Sequence, residues 1–489
     1  MSEAELDRLH KAGVRLTPEA SDYVRSHPGD SDIALPLSML GKFVISLEDV
    51  MSVVSNEKIP SPPAEVRRQA DFSPMAAQIE PRMRFFEDTD VSGKSRCTGS
   101  VEDFLNYFRQ RLERFKTLFK QRPSSYPSSD LSMLKENDGH NVRIIALVNE
   151  KSLTKNGHIR IVLEDEWGTL PAIFTKRNMQ AFEKANGVLV DEAIAVEGKI
   201  SGDVMFASNM EWLDLPYSRE QKRTERDIGI LYLSDLHFGS RFFMDKSFAK
   251  MLSWLKGREG NSELAGKIKY VMVGGDIVDG IGVYPGQEKE LVILDIYKQY
   301  EQFDQFVESL PDYIEIVAAP GNHDAVRRAD PQPAISKEFI KSRARLVGSP
   351  TWIEIEGLKH LMYHGTSLDS IIASVPNMSN GYESPEHPMM ETLKRRHLSS
   401  SYGETGNTMV PEKKDYLIIE DEPDVLHMGH VHKNAVSKYR GTVVINSGTF
   451  QARTDFQVRM GHVPSPAIAT VYEPFKLKVS HVDFSGHQK

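Results

Sequence analysis

Between residues 225 and 450 the chain repeats one construction: a short, almost continuously apolar run that stops on glycine, aspartate, histidine or asparagine. The runs are IGILYLSDL, IKYVMVGGDI, YIEIVAAPG, KHLMYHG, DVLHMGH and GTVVINSG. Apolar runs without polar alternation describe strands covered on both faces. The stretches between them, such as ELVILDIYKQYEQFDQFVESL, carry helical spacing. Strands alternating with helices predict an α/β arrangement, in which the carboxyl ends of the strands open into one crevice. What stands at those ends therefore constrains the chain more than any other feature.

Asp235-Leu236-His237 follows the first run, Gly274-Gly275-Asp276 the second and Gly321-Asn322-His323-Asp324 the third. His364 follows the fourth, and Gly429-His430-Val431-His432 the fifth. Each has an ordinary explanation alone: a capping aspartate, a Gly-Asn turn, a histidine packed in a core. Five strand ends that all supply oxygen and nitrogen donors are poorly explained by coincidence. Asp, His and Asn without thiolate suit Mn, Zn or Fe, and suit an all-oxygen Mg site poorly. The donors are too many for one ion. Two ions roughly 3.5–4 Å apart need a bridging carboxylate, and such pairs serve phosphoester cleavage. Asp276, between the two sets, is the candidate bridge.

The rest of the chain bounds the setting. Its 489 residues suggest two to four domains, and its formal net charge is −9. That acidic balance argues against indiscriminate nucleic-acid binding while leaving room for a local basic groove. The single cysteine, Cys97, excludes an intrachain disulfide and a thiolate zinc site. No apolar run approaches the roughly 18 residues of a membrane span, and MSEAELDRLHKAG lacks the apolar core of a secretory signal.

Five segments are expected. Residues 1–55, with mixed three- and four-residue spacing in AELDRLHKAGVRL and LPLSMLGKFVISLEDVMSVV, predict a helical module. Residues 56–99, rich in proline and charge, predict a linker. Residues 100–135 predict an amphipathic helix and loop: Ser100 and Asp103 form a start signal, and Phe104, Phe108, Leu112, Phe115 and Phe119 share a face. Arg109, Arg111, Arg114, Lys116 and Lys120 fall mostly elsewhere, as on a solvated surface helix. Residues 136–218 switch to period two, with an Asn156-Gly157 hairpin signal and one helical insert, which suits a small barrel of the OB type. Its candidate DNA-stacking aromatics, Phe174 and Trp167, are equally well explained by packing. Residues 225–489 hold the strand-end motifs.

The order D-x-H, G-D, G-N-H-D, H, G-H-x-H over roughly 228–450 resembles the calcineurin-like metallophosphoesterase superfamily. That resemblance implies a C-terminal α/β/β/α sandwich within a multidomain α+β chain. It implies one ion on Asp235, His237, Asp276 and His432, and a second on Asp276, Asn322, His364 and His430. It further implies that His323 stands beside the scissile phosphate and protonates the leaving oxygen, with Asp324 orienting it. The cofactors implied are two divalent metal ions, Mn foremost, with Zn, Fe or Mg as alternatives.

The segment order and the strings GGDIVDGIGVYPGQ, PGNHDAVRRADPQP, LKRRHLSSSYG and NSGTFQARTDFQ also resemble the small subunits of archaeal family-D DNA polymerases, across most of the chain. This implies a 3′→5′ exonuclease acting on DNA 3′ ends, a heterodimer with the large catalytic subunit, no membrane association, and a cytoplasmic, nucleoid-associated location. Ser400 and Phe450 depart from the residues more usual there, proline and tryptophan. Asp279 stands where recombination-repair nucleases of the superfamily more often carry histidine, which favours the polymerase subunit over a stand-alone nuclease. A catalytically inactive scaffold is the third reading, and the complete ligand set argues against it.

Weaker expectations surround the ligands. Tyr284, Pro285 and Gln287 are expected to form a loop over the substrate. Arg327 and Arg328 are expected to meet the DNA backbone. The run Lys394, Arg395, Arg396, His397 could do likewise, although a solvated helix face explains it equally well. Asn446-Ser447-Gly448 is expected to position a metal-binding histidine, and His360 and His427 are expected to be structural.

Overall fold

The computed structural model describes residues 15–26, 44–45, 47, 50–51, 72–403 and 407–486. It divides into two units, Met1–Arg68 and Gln69–Lys489. In the first, β1 (Arg15–Leu16), α1 (Pro18–Ser26) and β2 (Val44–Ile45) are described, and the two strands pair in parallel. Proline at the first helical position is preset for the helix, and Thr17 Oγ1 accepts the Ala20 N–H. The expected helical spans 4–16 and 35–54 thus end or break in strand at 15–16 and 44–45, where the β-branched Val44 and Ile45 find a partner strand. Beyond the second strand Leu47, Val50 and Met51 are helical, and the other residues of both spans lie outside the described residues.

The second unit opens on a correction. Residues 72–99, read as linker, belong to the folded body. β3 (Met83–Phe85) pairs antiparallel with the edge of a sheet, and Phe72 and Ala76 pack into an apolar core. The expected start of α2 (Val101–Phe119) is present as a reciprocal capping box between Ser100 and Asp103. Leu112, Phe115 and Phe119 are buried, whereas Phe104 and Phe108 are only half-buried.

Arg111 corrects the reading of a solvated basic face. It is fully buried, with Nε 2.8 Å from Asp415 Oδ2, and it donates to the Ser400 and Asp191 carbonyls. Tyr107 Oη donates to the same carboxylate at 2.7 Å, and His397 Nε2 lies 3.0 Å from it.

After β4 (Ser128–Ser129) come β5 (Asn141–Leu153), β6 (Ile159–Asp165), β7 (Gly168–Phe174), α3 (Met179–Asn186), β8 (Ala193–Ser201) and β9 (Val204–Glu211). β5 pairs with both β6 and β8, which closes the order β5-β6-β7-β9-β8 into a five-stranded barrel. A register shift between Val148 and Glu150 lets this long strand bend far enough to serve both neighbours. The inward residues form one apolar core that includes Phe174, so that residue is packing; Trp167 is exposed.

The remainder forms four layers. One sheet runs β13 (Arg345–Leu346), β12 (Glu315–Ala319), β11 (Ile268–Gly274), β10 (Gly229–Leu233), β19 (Ile468–Glu473), β20 (Lys478–Asp483). Its first four strands are parallel. The other runs β17 (Asn434–Tyr439), β18 (Thr442–Ser447), β16 (Val425–Met428), β15 (Leu358–Met362), β14 (Thr351–Ile355), β3, with β15, β16 and β18 parallel.

The apolar runs resolve into two alternating faces, each of them covered. In β11, Tyr270 and Met272 meet Ile353, Met362, Val425 and Ile445 of the other sheet. Val271 and Val273 share a core with Met251 and Trp254 of α4 (Asp245–Leu255), Leu264 of α5 (Ser262–Lys267), and Phe303 and Phe306 of α6 (Ile296–Ser309). Leu361, Leu426 and Val444 pack against Leu368, Ile372, Met389 and Leu393 of α7 (Leu368–Ser374) and α8 (Glu386–Arg395). Two hydrophobic layers outside and one between make a sandwich whose parallel strands present their carboxyl ends together.

Candidate metal centre

Five donors at these ends adopt a backbone conformation that side chains ordinarily avoid. Asp235, His237, Asp276, His430 and His432 have φ of 50°, 51°, 49°, 70° and 57°. Left-handed backbone at a non-glycine residue costs roughly 1–2 kcal/mol and persists only where the surroundings enforce it. The D-x-H and H-x-H motifs use it twice each, on residues i and i+2, so both side chains leave the strand end toward the same point. Glycines make room for this. A Cβ on Gly321 would lie 2.3 Å from Asp276 Oδ1, and one on Gly429 would lie 2.3 Å from Asp235 Oδ2.

The side chains converge. His237 Nε2 is 3.1 Å from His432 Nε2, and His432 Nε2 is 3.4 Å from Asp235 Oδ1. His364 Nε2 and His430 Nδ1 lie 3.1 and 3.0 Å from Asn322 Oδ1. Asp276 Oδ2 stands between the two groups, 3.8 Å from His237 Nε2 and 3.3 Å from His364 Nε2. Donor atoms of Asp235, His237 and His432 lie within 4.8 Å of one another, as do those of Asp235, Asp276 and His364.

His323 forms a third such triad with His237 and Asp276. Its ring Nδ1, however, is engaged by the Asp279 carbonyl at 2.7 Å, and its backbone N–H donates to Asp276 Oδ1 at 2.8 Å.

The expected role of Asp324 needs correction. Its carboxylate does not hold the His323 ring. Oδ2 accepts from the backbone N–H of Gly321 (2.8 Å) and Ile277 (3.2 Å), and Oδ1 from Val278 N–H (3.3 Å) and Tyr300 Oη (3.0 Å). Asp324 therefore fastens the Asn322 loop to the Asp276 loop through backbone donors that would otherwise be buried unpaired. The His323 ring is held by Asp279, whose Oδ1 also lies 3.0 Å from His237 Nδ1. Asp279 itself is fixed by donation from Gln451 Nε2 (2.9 Å) and Gln287 Nε2 (3.1 Å).

Sequence reading missed two further partners. Gln457 Nε2 is 3.0 Å from His432 Nδ1, and Asp369 Oδ2 is 3.0 Å from His430 Nε2. Gln457 belongs to a Thr454–Gln457 capping box that starts α9 (Asp455–Met460), a signal legible as T-x-x-Q. Asp369 has no such signature.

The field in the cluster favours positive charge. Burial opposes ionisation of Asp276, yet the imidazoles of His364, His323 and His237 hold its carboxyl well below the usual range. Burial would lower His364, but Asp276 and Asp235 push it up to about 10. His237, likewise buried, is pushed up to about 8 by Asp279, Asp276 and Asp235. Neutral imidazole, carboxylate and amide oxygen in a buried cradle that even a methyl group would overfill fit divalent transition-metal ions.

The expected substrate contacts separate. Tyr284 lies edge-on to His323, ring centroids 6.2 Å apart, and Arg328 is exposed and donates to the Val283 carbonyl. Tyr284 thus stands beside His323, with Arg328 tied to the residue that precedes it. Arg327 is instead tied to Glu412 (2.9 Å), Ser95 Oγ and the Pro331 carbonyl. Arg396 is buried, donating to the carbonyls of Ile419 and Glu420 and to Glu422 (3.1 Å), and does not face the cluster. Gln287 is buried behind Asp279 rather than lying over the cluster. Asn446 Nδ2 donates to the Gly429 carbonyl (2.7 Å), so it positions the His430 loop through backbone. His360 and His427 are buried in strands against Tyr232 Oη and Ser447 Oγ.

The profile of the calcineurin-like phosphoesterase family matches residues 228–488. A DNA polymerase II small subunit of Archaeoglobus fulgidus is 43% identical over 392 residues, covering 79% of this chain and 78% of that protein. Its counterpart in Methanocaldococcus jannaschii is 38% identical over 425 residues, 84% of this chain and 70% of that protein. The one in Methanothermobacter thermautotrophicus is 38% identical over 411 residues, 82% and 83%. Among the described residues no helix is long and apolar enough to cross a membrane. Both the strand-end geometry and these likenesses lead to one assignment: the chain belongs to the calcineurin-like phosphoesterases and, among them, to the DNA polymerase II small subunits.

Proposed function

We propose that this chain is a metal-dependent phosphodiesterase that removes nucleotides from DNA 3′ ends, and that it works beside a large polymerising subunit, where the activity serves proofreading. The carrying observation is the complete donor set gathered about Asp276 Oδ2, which lies 3.3 and 3.8 Å from imidazoles of the two ligand groups. A scaffold that had lost catalysis would gain nothing from five strained backbone positions and a buried cluster of carboxylates and imidazoles.

Asp235, His237, Asp276 and His432 would hold one divalent cation, and Asp276, Asn322, His364 and His430 the other. Such a pair, Mn first among candidates, supplies an activated nucleophile near neutral pH and offsets the charge of the phosphate. The chain's own residues set the geometry. With Nδ1 of His323 donating to the Asp279 carbonyl, the ring in its cationic, doubly protonated form would turn Nε2–H to the departing 3′ oxygen and give it that proton as the P–O bond breaks, leaving a neutral ring protonated on Nδ1. Arg328 and Tyr284 border the approach to His323 and would steady the strand that is being shortened.

The test is release of nucleotides from 3′-labelled DNA by the full chain with its large subunit, with and without Mn. Asp276→Asn should abolish release and lower the metal content at both positions. Normal Mn-dependent release by that variant would overturn the reading.

A further inference from the structure

The four ligand imidazoles are not held alike. His237, His432 and His364 each turn their outer nitrogen to a buried anchor: the Asp279 carboxylate at 3.0 Å, the Gln457 amide at 3.0 Å and the Gly274 carbonyl at 2.9 Å. Asp279 and Gln457 are 1% and 9% exposed. His430 turns its outer nitrogen to Asp369, whose side chain is 52% exposed. Asp369 is fixed in turn by Tyr382 Oη at 2.8 Å, and the Tyr382 ring stacks on His462 at 4.0 Å and 25°. Lys433 ties the same two segments together, bonding Glu383 (2.7 Å) and the Val463 carbonyl (3.0 Å). A solvent-facing wall of three surface segments thus does for His430 what buried polar groups do for the other three.

From this arrangement we infer that the two cation positions are unequal, the one completed by His430 being the weaker and exchangeable, and that Asp369 is the positioning residue that sets its affinity through the Tyr382–His462 wall. A carboxylate that receives the outer N–H of a ligand imidazole fixes the ring and raises its basicity. Half in water, Asp369 does so against competition from solvent. His237 and His432 rest instead on the buried side chains of Asp279 and Gln457. The inference rests on the metal-centred reading above.

The test is Mn binding by the metal-stripped full chain, followed by calorimetry and by the Mn electron-paramagnetic signal, which sees occupancy without turnover. The unaltered chain should bind two ions in two steps. Asp369→Ala should weaken the second step by about 10–100-fold and leave the first unchanged. Asp369→Asn, which keeps an acceptor oxygen, should recover part of the loss, and Tyr382→Phe should fall between. Gln457→Ala should weaken the first step instead. Two equal sites in the unaltered chain, or equal weakening of both steps by Asp369→Ala, would overturn the inference and leave the metal-centred reading standing. Absence of Mn binding by the unaltered chain would overturn both.

Discussion

Asp324 offers the sharpest test of the structure, because the sequence and the fold assign it different work. If it oriented His323, replacing it would slow the reaction and leave the protein stable. The observed carboxylate instead accepts three buried backbone N–H groups and the Tyr300 hydroxyl, at 2.8 to 3.3 Å. Asp324→Ala strands those three amides, at about 1–3 kcal/mol for each unpaired buried donor. Two of the bonds are long, and burial with the neighbouring Asp276 charge pushes the Asp324 carboxyl up to about 7, so removing the group also relieves a cost. The net expectation is a loss of about 3–5 kcal/mol, a large share of the roughly 5–15 kcal/mol that holds a domain folded. Asp324→Asn keeps one acceptor oxygen and should lose about 1–2 kcal/mol. Urea unfolding of the full chain, followed by tryptophan fluorescence and far-ultraviolet dichroism, measures both. An alanine variant within about 1 kcal/mol of the parent, with its rate collapsed, would refute the reasoning and restore the orienting role.

Three other perturbations address separate parts of the molecule. His323→Ala should keep its metal content and lose about 10²–10⁴-fold in rate; loss of metal would make His323 a ligand. Arg396→Ala should lower stability by about 2–4 kcal/mol, since one buried and one partly buried carbonyl lose their donor, while DNA affinity measured by anisotropy stays unchanged. Burial holds His360 down to about 4, with Nδ1 donating to the Leu358 carbonyl and Nε2 accepting from Tyr232. Its folded value lies below the unfolded value of about 6.5, so its contribution is complete above about pH 6.5 and is lost as pH falls toward 4. That slope is worth about 3 kcal/mol and should flatten in His360→Gln on unfolding at stepped pH.

The candidate metal donors were legible as a group because their chemistry is local. A strand, a glycine that clears space and a donor lie within four or five residues, as in Gly274-Gly275-Asp276, and the sheet brings such endings together. Their backbone strain was not legible, since no residue type announces a left-handed Asp235 or His432. The three-residue strand at Met83–Phe85 was missed because so short an edge needs a partner to form, and that partner lies at Thr351–Ile355. Arg111 read as solvated, and Arg396 as either DNA-facing or solvated, because a buried cation is recognisable only from its counterpart. For Arg111 that is Asp415, 304 positions away. Asp324 pointed the right way in sequence, into the GNHD turn, but backbone amides as its partners leave no mark in a pattern of side chains.

The charge pairs buried behind the site bear on how the chain can be dissected. Arg111 of α2 meets Asp415 of the sandwich while also donating to the carbonyl of Asp191 beside the barrel, and Arg395 of the sandwich meets Glu192 of the barrel at 3.0 Å, both side chains nearly inaccessible. Cutting between residues 211 and 229 would separate Arg111 from Asp415 and Glu192 from Arg395, leaving Arg395 with Glu391 and Asp415 with His397 in one fragment, and Arg111 and Glu192 without these partners in the other. Removing one member of such a pair is far more harmful than never having had it. Barrel and sandwich should therefore melt in a single cooperative transition, and a fragment trimmed to the sandwich alone should aggregate.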